Sequence, residues 1–314
     1  MSVQTMSTPT TITQTVGQPV RYCGRLFTTD EMDWIRRLIA SEPLLNRAQL
    51  SRRVCGELRW LRPAGRSKEM SCRVAMLRME RDGLITLPPP RKGNGNGRRR
   101  PRLTVASDPK TPLSLLAGEL GALVLCPVDT PSDSALWNEL IERYHYLGHK
   151  PLPGDQIRYL VFGRGHLLAA LGFGAAAWKV APRDRFIGWT PDQRRANLHR
   201  VANNARFLIL PWVTVRNLAS RILAASAKRL PRDWENRYGY QPCLLETFVQ
   251  RDRFRGTCYR AANWIYVGDT QGRGKLDRQH RHALPVKHVY LYALHRSFRQ
   301  KLHATAGLQL ERVH

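Results

Sequence analysis

The stretch IRYLVFGRGHLLAALGF, residues 157–173, contains two apolar runs separated by a short break with two glycines. The runs at 157–162 and 166–173 have the length and apolar content of β-strands. Between them, Gly163-Arg164-Gly165 supplies the residues that a tight hairpin turn needs. The stretch therefore predicts an antiparallel hairpin, from which the fold class of the surrounding region follows.

Helical and strand patterns alternate on both sides of this hairpin. An amphipathic helix is predicted at 134–147, because its apolar residues fall on one helical face. After the hairpin, the pattern predicts an arginine-rich helical stretch at 191–203, a strand at 205–210, a helix at 217–230, a strand at 243–249, a short helix at 257–263, and strands at 264–267 and 286–294. This order predicts an α/β (α+β) domain over residues 120–296, with a mixed, mainly antiparallel sheet flanked by helices. Residues 297–314 are predicted to be a basic C-terminal tail.

The N-terminal region has the pattern of a winged helix-turn-helix over residues 22–105. Thr28 or Thr29 is predicted to cap a first helix that starts at Asp30, Asn46 a second helix and Ser67 a third. The apolar stripe of the third helix is predicted to contain Met70, Val74, Leu77 and Met79. A short strand at 84–87 then leads into a Gly-rich basic segment at 91–102, which is where a wing would contact DNA. Residues 1–21 are predicted to be a disordered lead-in.

Charge points to an anionic polymer as the partner. The chain of 314 residues has 51 Lys+Arg against 24 Asp+Glu, a formal net charge of +27. The excess positive charges repel one another, and DNA is the partner that relieves this repulsion. A membrane is not expected as a partner, because the longest apolar run, residues 167–178, is too short to cross a bilayer. The six cysteines lack zinc-site spacing, which favours reduced thiols and a cytoplasmic location.

The predicted DNA contacts fall in both regions and belong mostly to arginine, whose planar fork suits phosphate and guanine edges. The candidates are Arg47, Arg52, Arg53, Arg66, Lys68, Ser71, Arg73, Arg78, Arg91, Lys92, Arg98, Arg99, Arg100, Arg206, Arg260, Arg273 and Lys275.

Glu246 is the first candidate for chemistry, because it interrupts an apolar strand. A carboxylate there costs free energy unless it is paired or faces a cleft. One interpretation is a buried ion pair with Arg206 or Arg260. The other is a general base or metal ligand.

Other candidates lie close by in the sequence. Cys258 and Tyr259 follow a turn into a helix, so that the thiol or the phenol is a candidate nucleophile, although both residue types also pack in cores. Asp269 and Asp277 could join Glu246 in a nuclease or strand-transfer site that uses Mg²⁺ or Mn²⁺. The pair His280 and His282, and the glycines at 268–274, are weaker signals for a metal and a phosphate, respectively.

The order of elements in the second region resembles that of the GNAT acyltransferase superfamily. The resemblance implies a sheet that splays between the strands at 205–210 and 243–249, and coenzyme A held at a Gly-rich turn before the next helix. Here that turn reads PWVTVRNLA, residues 211–219, and has no glycine. Side chains there would hinder a close backbone approach, which makes acyl transfer the weakest of the functional alternatives.

Several motifs together resemble the Druantia anti-phage protein DruA family, whose domain also occurs near or fused to transposases. They are LNR at 45–47, KEMSCR at 68–73, YHYLG at 144–148, GFG at 172–174, AWK at 177–179, NNARFLILPW at 203–212, LETF at 245–248, GTCYRAANW at 256–264 and GDTQGRG at 268–274. The resemblance implies a role in phage defence or mobile-element biology, with a helicase or other defence proteins as partners. Together with charge and fold pattern, it predicts a DNA-binding protein that targets duplex with its winged helix and recognises or processes DNA with its second domain.

Overall fold

The computed structural model describes residues 19–62, 65–90, 100–115, 118–272 and 284–304, and the chain divides into two compact units, Met1–Gly97 and Arg98–His314. The first unit begins with a hairpin of β1 (Val20–Tyr22) and β2 (Arg25–Phe27). Three helices follow, α1 (Thr29–Ser41), α2 (Arg47–Glu57) and α3 (Glu69–Arg81). They enclose a core that includes Phe27, Ile35, Leu50, Val54 and Met79.

Capping residues explain where the first two helices begin. Thr28 accepts a hydrogen bond from the backbone of Glu31, and Asn46 does the same for Gln49; each pair completes a reciprocal capping box. The third helix differs from the prediction, because its N-cap is Lys68, without a side-chain cap, and not Ser67.

The apolar stripe of α3 also differs from the prediction. Cys72, Ala75, Met76 and Met79 face the core, whereas Met70, Val74 and Leu77 are exposed. The two sets are offset by about half a turn, and the small residues Cys72 and Ala75 allow close packing against α2 that the larger ones would block.

The segment predicted to be a wing lies mostly outside the described residues. No regular strand is found over 84–87, and residues 91–99 lie outside the described residues. Three helices are therefore present in the first unit, while the winged helix-turn-helix and its wing stay predictions. The predicted lead-in, 1–21, extends into β1; residues 1–18 are likewise outside the described part.

The second unit is a mixed α/β fold, as predicted. In chain order it contains β3 (Leu113–Leu115), β4 (Val124–Pro127), α4 (Pro131–Tyr144), β5 (Ile157–Gly163), β6 (His166–Ala175), α5 (Ala181–Ile187), α6 (Pro191–Asn197), β7 (Val201–Ile209), β8 (Val213–Val215), α7 (Leu218–Tyr238), β9 (Leu244–Gln250), α8 (Thr257–Ala261), β10 (Ile265–Asp269), β11 (Lys287–Ala293) and α9 (Phe298–His303). Its described strands form a sheet in the order β10-β11-β9-β7-β6-β5-β4, and β3 pairs separately with β8. α9 lies where a basic tail is predicted, and it buries Phe298 and Leu302; residues 305–314 are outside the description.

The predicted hairpin is confirmed as β5 and β6. Gly163 pairs with His166, so that Arg164 and Gly165 form a two-residue turn, both with positive φ (49° and 79°). This is the backbone of a type I′ turn, which matches the twist of the strands that it joins.

The sheet separates between β7 and β9. These two strands pair in parallel only from Val201–Leu244 to Asn203–Glu246. Beyond that point β7 continues along β6, with a bulge opposite Gly172 and Phe173, and β9 continues along β11. The result is a gap in the sheet, called here the β7–β9 opening.

Neighbouring strand residues show which helices cover each face of the sheet. Arg158 donates to Ser134 and Asn138 of α4, whereas the next residue, Tyr159, donates to Asp233 of α7. We call these the first and second faces. Glu246 is on the first face, because it is paired with Asn203, which is paired in turn with Gly174 on the α4 side. α5 therefore lies on the first face too, since its Arg183 contacts Glu246. α8 lies on the second, since its Tyr259 contacts Thr247.

Candidate anion-binding site

Glu246 is fully buried in an ion pair with a residue that the sequence did not suggest. Its Oε2 accepts a hydrogen bond from Arg183 at 2.8 Å, and its Oε1 accepts one from the backbone of Ala177 at 2.8 Å. Arg183 is equally buried and also binds Asp184 and the carbonyl of Ala177. The partner of Glu246 is therefore Arg183, and not Arg206 or Arg260 as predicted.

This ion pair holds a loop in place. Burial raises the pKa of the Glu246 carboxyl, and the positive charge of Arg183 opposes that effect. Both carboxylate oxygens are already engaged by groups that fix the chain after β6. The arrangement is that of a structural pair that anchors the loop at 176–180 and the start of α5 to the sheet.

Asp269 lies on the opposite face of the sheet from Glu246. Asp269 is paired with His288 of β11, whereas Glu246 is paired with Leu291. These two β11 residues are three positions apart, and side chains alternate along a strand, so the two pairs lie on opposite faces. Asp269 accepts hydrogen bonds from Tyr266 at 2.8 Å and from His288 at 2.7 Å if that ring nitrogen carries the proton. Burial would raise the pKa of Asp269, but these two partners outweigh it and lower the pKa. The sheet thus keeps the two carboxylates apart, and Asp277 lies outside the described residues.

Cys258 and Tyr259 have the surroundings of packed side chains. Tyr259 stacks on Tyr290, contacts Trp264 edge-on and donates a hydrogen bond to Asn204 at 2.8 Å. Burial raises the pKa of the Tyr259 phenol and also that of the Cys258 thiol. The shift for Cys258 is opposite in direction to the lowering expected for a reactive thiol at a helix N-terminus.

Arg206 is the unusual residue at the β7–β9 opening. It lies on the first face opposite Gly172, and only 8% of it is exposed. Its guanidinium donates to the carbonyl of Ala205 at 2.7 Å, while its buried Nε has no hydrogen-bond partner among the described residues. No carboxylate in the described part of the chain forms an ion pair with it, and burial lowers its pKa.

Further basic groups surround this arginine. In the loop after α4, burial and then the charge of Arg206 lower the pKa of His145 to about 4. Burial also lowers the pKa of His149; Glu142 opposes this effect, and Arg158 and Arg206 add to it. Lys287 at the start of β11 also has a lowered pKa, because it is half-buried and close to the charges of Arg206 and Lys150. Burying positive charge in such a cluster costs free energy, which a nearby anion would recover.

A backbone hydrogen bond determines which ring nitrogen of His145 carries the proton. Its Nδ1 accepts a hydrogen bond from the backbone of Leu147 at 3.2 Å, so the proton of the neutral ring is on Nε2. His145 therefore adds a neutral N–H donor near the charge of Arg206.

Two loops form the rim of this cluster. Tyr146 lies 5.2 Å from the ring of Phe254, which follows β9, and the guanidinium of Arg253 lies 4.9 Å from the ring of Tyr146. The neighbouring acids are few. Glu142 accepts a hydrogen bond from the backbone of His149, and Asp252 contacts Gln250.

The arginines predicted to bind DNA in the first unit are partly engaged elsewhere. Arg47 binds the Pro88 carbonyl and Glu80, a contact that ties α2 to α3. Arg52 and Arg53 are exposed but pair with Glu69 and Glu42. Lys68, Ser71 and Arg73 are half-buried, and the exposed candidates are Arg66 and Arg78.

The remaining residues predicted to bind DNA or a metal lie either in the second unit or outside the described residues. Arg100 pairs with Glu142 at 3.7 Å, and the exposed Arg260 donates to the carbonyl of Arg255. Arg91, Lys92, Arg98, Arg99, Arg273, Lys275, His280 and His282 lie outside the described residues. Sequence reasoning found Arg206 but missed His145, His149, Arg253 and Lys287; the motif YHYLG at 144–148 was the one available signal for this loop.

Neither a metal centre nor a membrane span is found in the described ranges. They contain no group of three or more His, Cys, Asp or Glu side chains arranged to hold a metal ion. Within the same ranges, no helix has both the length and the apolar character needed to cross a bilayer.

Fold and site define a mixed α/β protein with a mainly antiparallel, splayed sheet and a basic cluster at the opening. A family model described as Druantia protein DruA matches residues 78–304, and the chain belongs to this family. A comparison with curated proteins gives no match.

The chain is also similar to structures of acetyltransferases. For aminoglycoside acetyltransferase AAC(6')-Ib with coenzyme A, identity is 14%, the TM-score is 0.36, and the match covers 57% of this chain and 98% of that one. For a GNAT-family acetyltransferase from Streptococcus pneumoniae, identity is 12%, the TM-score is 0.36, and the match covers 55% of this chain and 99% of that one. For the microcin C7 self immunity acetyltransferase MccE with acetyl-CoA and AMP, identity is 6%, the TM-score is 0.28, and the match covers 44% of this chain and 61% of that one. This chain therefore spans about three fifths of the length of that MccE chain.

Proposed function

We propose that this protein is a DNA-binding component of an anti-phage defence system and that its second unit binds a DNA phosphate at Arg206. The observation that carries the proposal is a buried guanidinium with no carboxylate partner in the described chain, surrounded by further basic side chains. A buried charge without a counter-charge costs free energy, which a bound anion recovers. Phosphate suits the fork of donors that arginine presents.

The charge of the whole chain favours a polyanion over a small anion. At +27 the protein attracts a nucleic acid from a distance, and counterion release adds to the affinity. The first unit would hold duplex through a winged helix-turn-helix, with Arg78 and the basic segment at 91–102 as contacts. Membership of a defence-system family favours other defence proteins as partners.

Equilibrium binding of a labelled DNA at several salt concentrations tests the proposal. Log K should fall linearly with log salt, and Arg206→Gln should weaken binding and reduce the slope by about one, the value for one lost phosphate contact. Lys287→Ala should act in the same direction. Arg195→Ala is the matched control, because this exposed arginine already pairs with Asp192 and lies outside the cluster. A slope near zero, or an Arg206→Gln protein that binds like the wild type, would refute the proposal.

An acyltransferase is the second candidate, favoured by the β7–β9 opening. The turn before α7 does not fit a coenzyme A cradle of the glycine-rich kind. Its residues Val213–Val215 are paired in parallel with β3, and Trp212 accepts a hydrogen bond from Leu113 at 2.7 Å. Coenzyme A binding measured by calorimetry distinguishes the two functions, since the DNA proposal expects none.

A further inference from the structure

The rim of the Arg206 cluster is aromatic as well as basic. Tyr146 stacks with His145 at a centroid distance of 4.9 Å and meets Phe254 at 5.2 Å. Arg253 contacts both Tyr146 and Phe254 through its guanidinium, at 4.9 and 5.9 Å. These side chains form a continuous row from the loop after α4 to the loop after β9, which we call the aromatic row.

Phe254 exposes an apolar side chain to water, which costs free energy. It is 44% exposed, and its neighbours Arg251, Asp252, Arg253 and Arg255 are all exposed as well. The loop is nevertheless well fixed, because the backbone N–H groups of Arg253 and Phe254 both donate to the carbonyl of Gln250. A phenylalanine held at the surface by an ordered turn, between arginines, has the features of a stacking platform.

The aromatic row lies beside the proposed phosphate site. Arg206 is paired with Gly172, which lies against Trp137, and Trp137 contacts His149, in the same loop as Tyr146, edge-on at 6.4 Å. The charges of Arg206 and Arg253 also oppose the effect of burial, which raises the pKa of Tyr146. An anionic group at Arg206 and a flat group on the aromatic row would therefore be neighbours. A nucleotide supplies both, a phosphate and a base.

We propose that this site binds an unpaired nucleotide, with the phosphate at Arg206 and the base stacked on Tyr146 and Phe254. The inference rests on the proposed function and specifies its ligand as single-stranded DNA or an unpaired segment within duplex. Bases in an intact duplex are stacked on one another and do not present a face to a side chain. The site therefore favours single strands, gaps or forks over uninterrupted duplex.

The test separates the base from the phosphate. Binding is measured for a single-stranded oligonucleotide, for the same strand with abasic positions at its centre, and for blunt duplex of equal length. For the wild type, loss of the bases should weaken binding on the order of tenfold although the number of phosphates is unchanged. Phe254→Leu should weaken binding of the intact strand and leave binding of the abasic strand and the duplex unchanged.

A matched control is the exposed aromatic residue Trp178, which has an arginine, Arg194, over its ring at 5.5 Å. That arginine has a carboxylate partner, Asp184, and lies outside the Arg206 cluster. Trp178→Leu should bind all three probes like the wild type.

The outcomes distinguish the two proposals. Equal binding of the intact and abasic strands, or a Phe254→Leu effect that is the same on duplex, overturns the unpaired-nucleotide inference, while an Arg206→Gln defect on every probe would leave the DNA proposal standing. If Arg206→Gln binds every probe like the wild type, the proposed function fails, and with it the inference.

Discussion

Arg183 and Arg206 are both buried arginines, yet they differ in what surrounds the charge. Arg183 contacts Glu246 and Asp184, whereas Arg206 has no carboxylate partner in the described chain. Removing Arg183 leaves the buried charge of Glu246 without a partner. Removing Arg206 leaves no such charge and relieves the cost of its own desolvation.

The two methionine variants should therefore change stability in opposite ways. Arg183→Met should lower the free energy of unfolding by about 3–5 kcal/mol. Arg206→Met should leave it unchanged or raise it by about 1 kcal/mol, while DNA affinity falls. Urea unfolding monitored by tryptophan fluorescence measures both. A destabilisation of similar size in the two variants would show that Arg206 is a structural residue like Arg183.

The ion-pair partner of Glu246 could not be predicted from sequence patterns. Glu246 stands out in an apolar strand, and the expectation of a partner was sound. Arg183, however, lies in a helix 63 residues earlier that had not been predicted, and no periodicity links the two positions. Pairings of this kind depend on how loops cross a sheet, which is a tertiary property.

At the scale of elements, the entry to α8 is fixed by one glycine. Gly256 precedes the helix with φ = 67°, and a Cβ added there would lie 2.5 Å from the phenol oxygen of Tyr290. Both the left-handed backbone and this close approach exclude a side chain.

Gly256→Ala should lower the free energy of unfolding by about 2–3 kcal/mol, the sum of backbone strain and displacement of Tyr290. Gly239→Ala is the control, because Gly239 has a similar φ of 76° but open space around the added Cβ. Its cost should be about 1 kcal/mol, the backbone contribution alone. Thermal unfolding compares the two variants, and equal losses would exclude the Tyr290 contact as a cause.

Most elements with a clear pattern were predicted, including the short α8 and β10 and the polar α6. The β5–β6 hairpin, α7, β9 and β11 match the prediction within a few residues, apart from the C-terminal end of α7 at Tyr238. β3 and β8 were missed because each has three residues, too few for an alternation to be visible, and their pairing joins positions 100 residues apart. The basic cluster was missed in part because its residues come from four separate segments: β7, the loop after α4, the loop after β9 and the start of β11.

At the scale of the whole molecule, acid should destabilise the protein. His145 and His199 are both half-buried in the second unit, and loss of contact with water, with a nearby arginine in each case, lowers the pKa of each from 6.5 to about 4. The folded state thus favours the neutral ring, whereas the unfolded chain takes up protons near pH 6.5. Stability from each histidine is complete above pH 6.5 and is lost as the pH falls towards 4. The chain is already at +27 at pH 7, so added protons also increase self-repulsion.

His199→Phe tests this pH dependence away from the proposed DNA site. Phenylalanine keeps an aromatic contact with Tyr240, which His199 makes edge-on at 5.1 Å, but it cannot be protonated. From pH 7 to 4.5 the wild type should lose about 2 kcal/mol more of its free energy of unfolding than this variant, because the pKa of His199 is 6.5 in the unfolded chain and about 4 in the folded protein. Urea unfolding at the two pH values gives the difference, with the exposed His166→Phe as the control. If His199→Phe loses as much stability in acid as the wild type does, protonation of His199 is not a cause of acid unfolding, and the self-repulsion of an already basic chain becomes the principal explanation.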